Sequence, residues 1–129
     1  MLPPKVTFID SLAVKSRPEG YVNVTVSIPL VLESWRESLF SYEWLTQDGR
    51  IKNKTDLPPA EKTKRETIEQ KLKSGEALET PVLGIGLQDN IEIGSGRAAF
   101  LTLASLGATE MSVHILKSNK DEFKSFLAS

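Results

Sequence analysis

The chain reads as an α+β domain, a small mixed sheet flanked by three or four helices and closed by a docked C-terminal helix. Two patterns predict this class. Over residues 21–28, apolar Val22, Val24, Val26 and Ile28 alternate with Asn23, Thr25 and Ser27, the period of a strand with one buried face. From 82 to 116, the apolar runs and punctuating glycines follow the order strand, hairpin, turn, helix, strand. A length of 129 residues fits one domain, 1–129, with a core large enough to stand without staples.

The elements follow from local chemistry. Residues 6–9 predict a first strand, and the turn residues 16–20 lead into the alternating strand at 21–28. Pro29 lacks an N–H and ends that ladder, while its fixed φ suits the first turn of a helix. Val31, Trp35, Leu39, Tyr42 and Leu45 then recur at helical spacing, which predicts a helix to about residue 46. Both tryptophans, Trp35 and Trp44, fall in this stretch, and the aromatic stripe is read as core packing. Residues 47–50 form a turn, and the polar stretch to Pro59 reads as a mobile loop. A charged helix is expected over 60–74, with Ile68 and Leu72 as a narrow apolar seam and Gly75 as its cap. The run 82–87 predicts a buried strand, turned back by 88–90 into a second strand at 91–93. A helix from Arg97 to Leu106 stops at Gly107, and 111–116 supplies the next strand. Asn119 can cap a final helix, with Phe123, Phe126 and Leu127 docking on the core.

Composition removes several chemistries. With no cysteine there is no disulfide, no thiolate nucleophile and no cysteine-ligated zinc or iron–sulfur cluster. One histidine, His114, rules out a multi-histidine metal site within one chain. No metal ligand is therefore assigned. No apolar run approaches the roughly 20 residues that span a bilayer, and Met1-Leu-Pro-Pro opens no secretion signal. A cytoplasmic location and no membrane partner are expected. The net charge of −1 is unevenly spread. Residues 50–73 hold eight Lys or Arg against four Asp or Glu, net +4. Such a patch attracts phosphate, although its plainer reading is a solvated helix face.

The stretch 91–107 carries the functional signal. A short strand runs into Gly94-Ser-Gly-Arg97 and then into an apolar helix. Backbone N–H groups, a helix N-terminus and a guanidinium converge at such a turn, which is a way of holding phosphate. The candidate phosphate-binding residues are Gly94, Ser95, Gly96 and Arg97, and Lys62, Lys64, Arg65, Lys71 and Lys73 form a candidate basic patch. The competing reading is a tight corner whose glycines serve backbone geometry alone.

In the order and spacing of its elements, residues 60–117 resemble the ParB/sulfiredoxin-like superfamily, named for plasmid-partition proteins and sulfiredoxin repair enzymes. The corresponding elements are the helix ending at Gly75, the strand at Pro81-Val-Leu83, Ile91-Glu-Ile93, the turn Gly94-Ser-Gly-Arg97, Leu106-Gly107 and the strand 111–116. The family's turn is approximately Gly-x-(His/Arg)-Arg before an alanine-rich helix, and it surrounds nucleotide phosphates. Two registers fit. With Gly94 first, Arg97 takes the arginine's place and Gly96 replaces the preceding basic residue. With Gly96 first, the step to Gly107 matches better, and Ala98 and Ala99 take the basic places.

Either register implies a degenerate member. The resemblance excludes sulfiredoxin chemistry, which needs a cysteine where Ser95 is the nearest residue. Partition proteins bind CTP through several arginines in this turn, and here there is one. Nuclease chemistry would have only Asp89 and Glu92 nearby, a turn-former and a strand residue, so no catalytic residue is assigned. His114 and Ser95 are given no chemical role, His114 being read as a polar position on the wet face of its strand. Two functions stay open. One is a module holding a nucleotide, with or without Mg2+, or a DNA phosphate at Gly94–Arg97. The other is a degenerate, non-enzymatic factor of a plasmid or phage that acts on a protein partner.

Overall fold

The computed structural model describes residues 6–129 and is α+β. Met1-Leu-Pro-Pro lies outside the described residues. Strand β1 (Phe8–Ile9) leads into a short helix α1 (Leu12–Ser16), then β2 (Tyr21–Ser27) and helix α2 (Ile28–Trp35). The long helix α3 (Pro59–Ser74) follows, then β3 (Leu78–Glu79), β4 (Leu83–Ile85), β5 (Ile91–Ile93), helix α4 (Arg97–Ser105) and β6 (Glu110–Leu116).

The strands pair in three ladders. β2 runs antiparallel to β6 from Tyr21↔Leu116 to Ser27↔Glu110, β4 runs antiparallel to β5, and β1 runs parallel to β3. A parallel bridge between Val82 and His114 ties the hairpin to β6. Val82 O accepts the Gly94 N–H at 2.9 Å, and Ser95 O accepts the Val82 N–H at 2.9 Å. These bonds continue the hairpin into the glycine turn. The outcome is a small mixed arrangement of strands, with α4 buried against it.

Ala99, Phe100, Leu101, Thr102 and Leu103 are all buried, so α4 is apolar nearly all round, as a central helix must be. α3 lies outside it, with Ile68 and Leu72 packed on the core. Its C-terminus closes in the left-handed cap at Gly75, whose φ is +74°, with Glu76 N–H reaching Lys71 O at 3.0 Å.

The helix expected from Pro29 to about residue 46 stops at Trp35. Serine hydroxyls end it, because they offer the backbone and its neighbours other partners. Ser34 Oγ accepts the Ile91 N–H at 2.8 Å, Ser38 Oγ donates to Glu92 at 2.6 Å, and Ser41 Oγ donates to Ser38 O at 2.9 Å. Trp35 and Trp44 are wholly buried as core residues, but Leu39 and Tyr42 face solvent once the helical register is lost. The stretch after Trp44 is tied down more than its polarity predicts. Lys52 N–H reaches Trp44 O at 2.8 Å, Leu45 bridges Ile51, and Leu57 is buried.

The expected C-terminal helix is also corrected, to 3-10 turns at Lys117–Asn119 and Lys124–Phe126. Its docking holds for Phe123, which is wholly buried and meets Phe126 edge-on at 6.2 Å. Leu127 instead bridges Val26, and Ala128 N–H reaches Thr25 O at 3.0 Å. Pairing with β2 pulls the tail straight, and a segment this short has little helical stability of its own to resist.

Candidate functional site

Ile91 and Ile93 are fully buried and anchor β5, so the chain must turn sharply at Gly94 to enter α4. Gly96 makes that turn. Its φ is +79°, and a Cβ placed there would lie 2.9 Å from the Pro81 Cα, so two independent constraints demand glycine. The first intrahelical bond runs from Phe100 N–H to Gly96 O at 3.0 Å. The amides of Arg97, Ala98 and Ala99 therefore precede the hydrogen-bond ladder of α4 and point out of its N-terminus.

This helix start opens on a cavity of about 460 Å³ between α4, α3 and the β1–β3 pair. Gly94, Gly96, Arg97, Ala98 and Ala99 form one wall. Glu61, Lys64, Ile68 and Lys71 form the opposite wall, a single face of α3 at steps of three and four residues. Ile9, Leu78 and Glu79 supply the floor.

Arg97 is held in place along its length. Its Nε donates to Ile93 O at 2.9 Å, and its Cζ lies 5.1 Å from the Phe40 ring centroid and 5.9 Å from that of Trp35. Among the described residues it forms no ion pair. Glu61 feels its charge. That carboxylate is 7% exposed, accepts the Trp44 indole N–H at 3.0 Å and pairs with Lys64 at 3.2 Å. Burial pushes its pKa up, but the indole, Lys64 and the Arg97 charge outweigh burial and hold it below the ordinary carboxylate value. Glu61 thus stays ionised and steadies Lys64 at the cavity wall.

The structure brings together Gly94, Gly96, Arg97, Lys64 and Lys71 out of the residues singled out by sequence. The Gly94 N–H is already committed to Val82 O, so it offers nothing to an anion. Ser95 is exposed and does not line the cavity, and neither do Lys62, Arg65 and Lys73. Helical geometry explains the division, because only positions 61, 64, 68 and 71 face this side of α3. Glu92 and Asp89 have structural roles. Glu92 bonds Ser38 Oγ and Asn90 Nδ2, and Asp89 turns the hairpin at φ +59°. His114 is not on a wet face. It is 8% exposed, with Nε2 at 3.8 Å from Asp10 Oδ1, and its N–H reaches Pro81 O at 2.9 Å next to the bridge with Val82.

Sequence reasoning missed Glu61, Trp44 and Phe40. Glu61 and Trp44 lie 17 residues apart with no periodic relation, and Phe40 reaches Arg97 from a loop. No protein-family model, curated protein or solved structure matches the chain. No helix among the described residues is long and apolar enough to cross a membrane.

Proposed function

We propose that this chain is a ParB/sulfiredoxin-like module that holds a phosphate of a nucleotide or nucleic acid at the N-terminus of α4. The observation that carries the reading is convergence. Arg97, Lys64 and Lys71 line the same cavity as the leading residues of α4. The donors are the Arg97 guanidinium, the two ammonium groups and the amides of Arg97, Ala98 and Ala99, in place of Gly94 and Ser95. A phosphate there meets cations and the positive end of a helix together. Stacking against Phe40 and the bond to Ile93 O fix the guanidinium plane, so little freedom is lost when it grips an oxyanion.

The test is titration with ATP, CTP, pyrophosphate and a short DNA at low and moderate salt. Arg97→Ala should weaken the bound species by about 1.5–3 kcal/mol, tenfold or more, since it removes a charged hydrogen bond. Normal binding of ATP, CTP and pyrophosphate by that variant, in a protein shown to be folded, refutes the assignment. One observation favours a second reading, a non-enzymatic factor that contacts another protein. Leu39, Phe40 and Tyr42 are exposed at 83%, 51% and 68%, and Phe40 among them reaches Arg97. If none of the phosphates binds, that apolar segment becomes the functional surface.

A further inference from the structure

Of the six cations of residues 50–73 that the Arg97 cavity leaves out, all but Lys62 are gathered elsewhere. On the other flank of the α3–α4 seam lie two neighbouring hollows of about 380 Å³ each, which share Lys54. Arg50, Lys52, Lys54 and Arg65 line the first, and Lys73 lines the second. The two flanks are set by helix geometry: positions 65, 69, 72 and 73 lie roughly 100° around the α3 axis from positions 61, 64, 68 and 71.

Two carboxylates answer these five cations. Asp48 pairs with Arg50 at 2.9 Å, while Glu69 is shared by Lys54 at 2.8 Å and Arg65 at 3.4 Å. The groove keeps a net charge of +3. Arg65 is largely buried beside Glu69 and its Nη1 is closed off from solvent, so it adds charge to the groove without offering that atom to a ligand. No lining residue of either hollow is aromatic.

We propose that this groove binds the phosphate backbone of a nucleic-acid duplex, as a site separate from the Arg97 cavity. Arg50, Lys52 and Lys54 from the segment before α3, with Arg65 and Lys73 on α3, line one stretch of surface, which matches a linear polyanion. The absence of an aromatic platform from its lining argues against single strands, whose binding depends on stacking bases on aromatic rings. Contacts to phosphate alone position a duplex without reading its sequence.

The experiment is fluorescence anisotropy with a labelled mixed-sequence DNA duplex, the matching single strand and a polyglutamate peptide. Three uncompensated cations give a salt slope of about −2.7, so affinity for duplex should fall about 40-fold between about 50 and about 200 mM salt. Lys52→Glu combined with Lys73→Glu takes the groove from +3 to −1 and should cost more than about tenfold at low salt. Lys117→Glu with Lys120→Glu changes net charge equally outside the groove and should cost less than about threefold. If the double reversal disturbs the fold, the milder Arg50→Gln with Lys73→Gln asks the same question. The proposal is overturned if the groove variants bind duplex like the parent, or if the control pair loses as much. Tighter binding of the single strand also overturns it, and equal binding of polyglutamate does so in favour of an acidic protein partner. Titrating the groove variant with ATP reads the Arg97 cavity, so failure of one proposal is visible apart from the other.

Discussion

Gly96→Ala, set beside Gly75→Ala, separates the two reasons a turn can require glycine. Both positions have left-handed φ, +79° at Gly96 and +74° at Gly75. An added Cβ at Gly75 meets nothing within 4 Å, so its cost is the left-handed backbone alone, about 1–2 kcal/mol. At Gly96 the same Cβ meets the Pro81 Cα at 2.9 Å. That is backbone and cannot swing aside, so overpacking adds about 1–3 kcal/mol, for a total of about 2–5 kcal/mol. For a chain of this size each kcal/mol moves the melting midpoint by about 3–5 °C. Thermal melts followed by circular dichroism should therefore show Gly96→Ala falling well below Gly75→Ala. If the two melt within about 2 °C of each other, the Pro81 contact does not constrain the turn and the geometric account of Gly96 is wrong. A Gly96→Ala protein with parental stability but no phosphate binding would assign the glycine to the ligand.

Other variants test the core and its charges. Arg97→Ala should cost about 1–2 kcal/mol of stability, because it removes the bond to Ile93 O and the packing on Phe40 and Trp35; an unchanged urea midpoint would show these contacts to be idle. Phe123→Ala should cost about 3–5 kcal/mol as a cavity in a wholly buried site, and a loss below about 1 kcal/mol would mean the tail is not docked. Glu61 is held below the ordinary carboxylate value by Trp44, Lys64 and Arg97 against the opposing effect of burial. Its folded pKa is thus lower than its unfolded one, so its stabilisation is present above the carboxylate range and is lost as pH falls through the folded value. Trp44→Phe removes the indole donor; its deficit against the parent should be largest above that range and shrink in acid, and a pH-independent deficit in urea unfolding would refute the linkage.

What sequence alone determined is what local chemistry dictates. The Val22–Ile28 alternation, the cap at Gly75, the Pro59 helix start and the glycine turn before Arg97 are each decided within a few residues, and β2, α3 and α4 follow them closely. Gly94, Gly96 and Arg97 were legible as one turn, whereas which lysines of α3 join them, Lys64 and Lys71 but not Lys73, was decided by how that helix packs. Tertiary structure decided the rest, because the partners lie far apart in the chain. Two-residue strands such as Phe8–Ile9 and Leu78–Glu79 have no periodicity to read and exist only as each other's partner. The stripe from Val31 to Leu45 has helical spacing, but hydrogen bonds from Ser34 and Ser38 to the hairpin outweigh propensity and end the helix at Trp35. Whether a lysine of α3 faces the Arg97 cavity or the basic groove depends on the rotation of that helix about its axis. That rotation is set by burying Ile68 and Leu72 against the core, a choice that exists only once the core has formed.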